Sequence, residues 1–514
     1  MKQNLFYAAA FALALLGCSQ NDVTEPSDKG GAKTGTAFTG KSSPQMGENP
    51  VSRTSIDYDR TARTMTYYWE PGDKIWLNDG NNAETEASSR VANSSFFFTT
   101  GTYHAQHYDV YYPGKNATAY NAVTIQTTQT QAAPNSSTHF GDAGDCGVAT
   151  ADRQSDGGYT FALAHKAAYL CFLPRTSNVT ETGWVMTAIK VTANNNIAGN
   201  YTLTTTGLTG TGSSNEITLN TGNFDISNAA TSLATNGAYM VIKPGAHILR
   251  VRYWVKDKAT NVEGTITKTL SPKTYAPNTY YDMTAQLDVK DYDGDHYYMW
   301  DAQEQYWKGH EWNHGGSQPT LNNGLPNATT SSDYPQSNAD LRYWNESYPG
   351  YGISNPAIHS CKDLPNVNEM TWYAAKGDPR WDADELWTTM GHLYKGGVWL
   401  KKKSVLMAEG TYDKEHSFYH SFDIRGQAII LDNSNASQTP PSASEIGNYF
   451  YLPALGYYDS GQLKGIGESG IYWSSSNSGW NSYTAYGLTF GSGLRMGASP
   501  DLPRYFGGIV KAFE

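Results

Sequence analysis

Short β-prone runs cut by turn clusters constrain this chain more than any other feature. Thr64-Met65-Thr66-Tyr67-Tyr68-Trp69 meets the turn Glu70-Pro71-Gly72-Asp73, and Lys74-Ile75-Trp76-Leu77 resumes. Ser95–Thr99 and Tyr108–Tyr112 follow, the latter closed by Pro113-Gly114. Strands this short, punctuated this often, build sandwiches rather than helical bundles or a doubly wound sheet. A second block starts near Gly158. Thr160–Leu173 is apolar enough for a central strand pair, followed by Trp184–Thr192, Tyr239–Lys243, Ile248–Val255 and Thr279–Leu287. Abundant Tyr, Trp, Thr, Asn and Gly, with only 17% charged residues, fit β-rich extracellular proteins.

From residue 296 the pattern changes. Asn368–Lys376 places Met370, Tyr373 and Ala374 on one helical face with Gly377 as a stop. Asp382–Met390, acidic at its start and followed by Gly391, reads as a second helix. Ser442-Ala443-Ser444-Glu445 fits a capping box for a short third one. Strands are then expected at Tyr449–Leu452, Gly470–Ser475, Tyr483–Phe490 and Gly508–Phe513. The expected order is a leader (1–18), a Gly/Ser/Thr/Lys-rich tether (19–50), a β-sandwich (51–157), a second β-sandwich (158–287), a charged linker (288–295) and an α+β domain (296–514).

The leader carries a chemical expectation. Lys2 precedes the apolar run Leu5–Leu16, which ends in Leu15-Leu16-Gly17-Cys18. That run is shorter than the roughly 20 residues a membrane-spanning helix needs but suits a signal peptide. It resembles a lipobox, which implies lipid on the Cys18 sulfur. Ser19, rather than Asp, follows the cysteine and implies passage to the outer membrane. Beyond Cys18 stand Cys146, Cys171 and Cys361. Cys146 and Cys171 are either a pair across two strands or small buried hydrophobes. The formal net charge of −11 excludes sequence-independent nucleic-acid binding.

Trp69–Ile75, the His165-Lys166-Ala167-Ala168 run and Tyr280-Tyr281-Asp282-Met283, in this order after a lipobox and tether, resemble the fimbrillins, lipoprotein precursors of pilus subunits. The resemblance implies two tandem transthyretin-like β-sandwiches. Leu364–Met370, Leu386–Gly397, Tyr449–Ala454 and Tyr472–Ser476 through Ala485–Phe490 resemble the C-type-lectin-like domain appended to some fimbrillins. Fimbrillin subunits imply strand exchange after proteolysis at an arginine, and Arg53 stands where tether meets first sandwich. Cleavage there would open a groove for a donor strand from another subunit. The last strand is expected inside its own sheet, which points to a tip or accessory adhesin. A lipid-anchored glycan-binding lipoprotein outside a pilus is the alternative.

Ligand binding is expected from Trp480, Asn481, Tyr483, Arg495, Asp501, Arg504 and Tyr505, aromatic and planar polar groups among Gly- and Ser-rich loops. The expected ligand is a glycan or a host or bacterial surface protein. No catalytic residue, metal or cofactor is expected. His310-Glu311-Trp312-Asn313-His314 copies a zinc-protease pattern, but Gly309 and Gly315-Gly316 deny it a sustained helix; a zinc hydrolase ranks third. Asp291–Asp295 starts like a calcium loop yet has His296 and Ala302 where Gly and Glu belong. Lys401-Lys402-Lys403 reads as a solvated loop. The formylglycine-generating oxidase shares the lectin-like fold, but no cysteine follows Cys361 to serve that chemistry.

Overall fold

The computed structural model describes residues 35–41, 55–59, 64–178, 183–292, 294–313, 332–346, 357–429, 431 and 434–513. Cys18, Arg53 and His314 lie outside them. The described chain is mainly β. Among the described residues no helix is long and apolar enough to cross a membrane.

The first sheet runs Asn82–Glu84, Lys74–Leu77, His107–Tyr112, Gly147–Arg153, Tyr159–Phe161, Thr36–Gly40, Ser94–Phe98, with Ala164–His165 paired beside Gly147–Arg153. Alternation builds it: Ser94, Phe96 and Phe98 are buried while Ser95 and Phe97 are half-buried. Phe38, Trp69, Ile75, Phe96, Tyr112, Tyr159 and Phe161 meet in its core. The Glu70–Asp73 turn is closed by the Glu70 amide donating to Asp73 Oδ2 at 2.7 Å. Gly72 takes φ 86°, which favours glycine. Tyr112 Oη donates to Asp73 Oδ1 at 3.0 Å, tying the turn to the core.

Two expectations are corrected here. The stretch read as tether contains Thr36–Gly40, an inner strand of this sheet. Its surroundings are polar, and Phe38 alone anchors it, so composition hid it. The boundary at 157–158 also fails. Tyr159–Phe161 and Ala164–His165 pair into the first sheet, whereas Ala122–Ile125 and Thr128–Gln131 pair with Gly199–Thr204 and Glu216–Asp225. Local apolar patterning marks a buried face; it does not say which distant strand will cover it.

The second region holds a five-stranded sheet, Glu263–Thr269, Leu249–Asp257, Trp184–Ala193, Glu216–Asp225, Thr128–Gln131, and a three-stranded one, Ala238–Ile242, Ala168–Arg175, Tyr280–Gln286. Both share one core that includes Phe172, Ile189, Leu219, Met240 and Tyr253. Cys146 and Cys171 are buried and, among the described residues, form no disulfide with each other; burial raises the Cys146 thiol.

The third region joins a four-stranded sheet (Lys290–Asp291, Arg380–Thr389, His392–Lys401, Tyr449–Pro453) to a larger one containing Tyr297–Tyr298, Gly508–Ile509, Ser469–Asn477, Thr484–Gly491, Arg495–Pro503 and Ser434–Asn435. The helix Val367–Lys376 forms where expected and buries Val367, Met370, Tyr373 and Ala374. The helix expected over Asp382–Met390 is instead the strand Arg380–Thr389. Thr389 pairs with His392, and Met390 and Gly391 between them take φ 50° and 76°. Gly391 thus makes a two-residue hairpin turn and not a helix stop. Ser442 and Glu445 do bond side chain to backbone at 2.9 Å, but they lead only into the 3-10 turn Ile446–Asn448. The last strand is shorter than Gly508–Phe513: Gly508–Ile509 pairs with Tyr297–Tyr298 and with Tyr472.

The linker expected at 288–295 is built into the structure. Lys290–Asp291 pairs in parallel with Trp387–Thr388, and Asp288 Oδ1 accepts the Ser177 amide at 2.6 Å. Asp257, fully buried, accepts the Leu393 amide at 3.0 Å across the second and third regions. Leu386 and Leu393 enter the second region's core. A Cβ added at Gly264 would lie 2.6 Å from Leu386 Cδ2. Gly264→Val is therefore expected to cost about 1–3 kcal/mol by overpacking, read as a lower thermal midpoint; an unchanged midpoint would show that the junction gives way freely.

Candidate ligand-binding surface

The sequence candidates cluster in part. The 478–483 loop joins Ser469–Asn477 to Thr484–Gly491. Asn481 Oδ1 accepts the Tyr483 amide at 2.8 Å and the Thr484 hydroxyl at 3.3 Å, an Asx turn that rigidifies the loop. Trp480 stays 38% exposed and Tyr483 64% exposed. The Arg504 amide donates to Tyr483 O at 2.8 Å, which brings Tyr505, 42% exposed, to the same end. Asp501 is exposed on the adjoining strand and accepts the Ser499 hydroxyl at 2.7 Å.

Two candidates fall out. Arg495 opens the Arg495–Pro503 strand, whose register pairs Thr484 with Pro503 and Phe490 with Met496. At the usual strand rise, Arg495 lies roughly 25 Å from Tyr483, at the other end of the hairpin. Arg504 is 1% exposed. Its guanidinium lies 4.5 Å from the Trp300 ring and 5.6 Å from the Trp344 ring. Its Nε donates to Thr484 O at 2.9 Å. A planar cation stacks between aromatics and keeps its hydrogen bonds, so Arg504 is a buried post beneath Tyr483 and not a ligand contact. Trp300 and Trp344 are distant in sequence, which is why this was not legible.

The other motifs resolve as follows. His310–Asn313 forms no helix, with Gly309 at φ 82° before it. Asp291 accepts the Thr388 hydroxyl at 2.6 Å. Cys361 is buried and free, and burial pushes its thiol up. The lysine run is not a loop: Lys401 ends a strand and meets Glu409 at 2.7 Å, and Lys403 opens the helix Lys403–Ala408.

A polar cleft of about 610 Å³ lies beside this surface and was not singled out from sequence. Asn366 and Glu369 form a reciprocal capping box at the start of the Val367–Lys376 helix; the N-x-x-E spacing was the available signal. Glu369 Oε1 also accepts the Tyr412 hydroxyl and, at 3.3 Å, Lys403 Nζ. Burial and then the hydrogen bond to Glu369 raise the Tyr412 hydroxyl. Asn368, fully buried, donates to Glu415 O at 3.1 Å and Asp423 Oδ1 at 2.9 Å, and accepts the Ile424 amide at 3.1 Å. The helix thereby pins the 411–425 loop as one wall. Burial would raise Asp423, but donors from Arg425 and Asn368 bring its carboxyl down to about 2. The Gly479 amide donates to Gln427 O at 3.2 Å, which sets the Trp480 loop against this wall.

No protein-family model and no curated protein matches the chain. Three solved structures, each of a candidate cell adhesion protein, are similar to about half of it. The Bacteroides ovatus protein is 13% identical, covering 50% of this chain and 93% of its own, with a TM-score of 0.31. The Bacteroides eggerthii protein is 13% identical, covering 49% and 88%, with 0.24. The Bacteroides fragilis protein is 12% identical, covering 50% and 94%, with 0.28. At these TM-scores the likeness carries no argument about this chain.

Proposed function

We propose that this chain is a cell-surface, fimbrillin-type adhesin, a tip or accessory pilus subunit held by lipid at Cys18 until processed at Arg53. It accepts a donor strand from a neighbouring subunit and binds a glycan or protein ligand through its third region. One observation carries the reading. Thr36–Gly40 precedes Arg53 in sequence, yet it lies between Ser94–Phe98, antiparallel, and Tyr159–Phe161, parallel. Cleavage after Arg53 frees that strand from the chain, and its departure leaves a slot with an unpaired ladder on each side. Gly508–Ile509 is paired within its own region, so that strand is engaged at home and is not spare for donation.

N-terminal sequencing of the protein recovered from the cell surface tests the proposal. A chain beginning at Thr54 is the expected result. An intact Arg53–Thr54 bond would sink the strand-exchange step and favour a lipoprotein that acts outside a pilus.

A further inference from the structure

The cleft's charged groups are unequally engaged. Glu369 is nearly buried and already accepts the Asn366 amide, the Tyr412 hydroxyl and Lys403. Asp423 is committed to Arg425 and Asn368. Asp363, the third carboxylate of the lining, is open to water and only 4.0 Å from Lys362 at its nearest. The capping box occupies the helix N-terminus, so its amides offer no anion site.

The cationic side is open. Lys362 and Lys403 keep 58% and 44% of their side chains exposed. Lys414 is exposed and makes no ion pair among the described residues. Arg425 is fixed edge-on by Asp423 and Glu415, each at 2.7 Å. In a chain of net charge −11, the cleft carries four cations against three carboxylates; Glu369 pairs with Lys403 and Asp423 with Arg425, which leaves Lys362 and Lys414 facing only Asp363. Local charge of this kind attracts anions against the general field. The lining also includes Ser475, Ser476 and Asn477, of residue types that both donate and accept, and the rings of Tyr412 and Phe513. Hydroxyl-rich rings bearing a negative group match that mixture; the volume lies within the range of small-ligand sites.

We propose that this cleft binds an acidic saccharide, a sugar carrying a carboxylate or a sulfate, with Lys362 and Lys414 meeting the anionic group. The inference rests on the reading of the third region as the ligand-binding part, but it names a site separate from Trp480, Tyr483 and Tyr505. The test is equilibrium binding of the full chain to oligogalacturonate, dextran sulfate oligomer, maltooligosaccharide and oligoglutamate. One or both acidic sugars are expected to bind, and the two arms distinguish carboxylate from sulfate. Affinity should fall with salt. Lys362→Ser/Lys414→Ser, both at exposed positions and so without effect on folding, is expected to weaken binding at least about tenfold. A Trp480→Ala/Tyr483→Ala variant is titrated alongside. Three results would overturn the assignment. One is the absence of binding by either acidic sugar. Another is equal binding by the neutral sugar or by oligoglutamate. The last is unaltered affinity in the double lysine variant. Loss of saccharide binding in the Trp480/Tyr483 variant alone would move the site to the aromatic surface and leave the adhesin reading standing.

Discussion

A chain that begins at Thr54 should lose about 5 kcal/mol or more of stability in its first sheet, and a peptide spanning Gly35–Lys41 should restore it. Phe38 is fully buried, stacked on Tyr159 at 4.5 Å and edge-on to Phe98 at 5.0 Å. Emptying such a site alone costs about 3–5 kcal/mol. The strand also pairs on both sides, from Thr36 to Gly40 with Phe98 to Ser94 and from Phe38 to Gly40 with Tyr159 to Phe161. Each lost hydrogen bond adds about 0.5–1.5 kcal/mol. The slot is also selective. A Cβ at Gly40 would lie 2.8 Å from Trp69 Cζ2, so a donor needs glycine at that place. A peptide with Ala for Gly40 should bind less tightly than the native one. Denaturant titration with and without peptide measures this; an unmoved midpoint on truncation would mean the strand is not what holds the sheet.

Asp301→Ala is expected to cost about 3–5 kcal/mol, because each buried donor left without its acceptor costs about 1–3 kcal/mol. Asp301 is fully buried and accepts four donors: the Ile358, His359 and Cys361 amides at 2.9, 2.8 and 3.2 Å, and Asn345 Nδ2 at 3.0 Å. Removing the carboxylate strands these donors away from water. Asp301 also takes φ 54°, a conformation that Asp and Asn tolerate better than Ala. Asp301→Asn keeps one acceptor oxygen and should cost less, about 1–3 kcal/mol. The 357–361 segment leads directly into Lys362 and the cleft wall, so the Ala variant should also loosen the cleft. Tryptophan fluorescence during unfolding reads the effect, and a change below about 0.5 kcal/mol, the range of ordinary surface substitutions, would contradict the account.

Some of this was legible because the signal is local. The Glu70–Asp73 turn needs only four residues and a glycine. The Val367–Lys376 helix carries its apolar face and its stop within one stretch. The strands over Trp184–Ala193 and Leu249–Asp257 announce themselves by alternation. The aromatic loop at Trp480 and Tyr483 was legible for a similar reason, since Asn481 shapes it from within. Other features have their cause elsewhere in the chain. Asp382 to Met390 satisfies helix-end rules, yet the partner strand His392–Lys401 claims it. Arg504 has the chemistry of a ligand contact, yet Trp300 and Trp344 enclose it.

The sequence by itself therefore determined a mainly β chain and its turns, because alternation and turn chemistry act over a few residues. Only the tertiary structure decided that a strand from a polar, glycine-rich stretch completes the first sheet. It alone decided that the chain crosses between its first two regions more than once. It alone brought Lys362, Lys403, Lys414 and Arg425 around one cleft. Strand partnership and charge convergence are properties of residues far apart in the chain, and what selects them is which buried faces and hydrogen-bond ladders must be satisfied together.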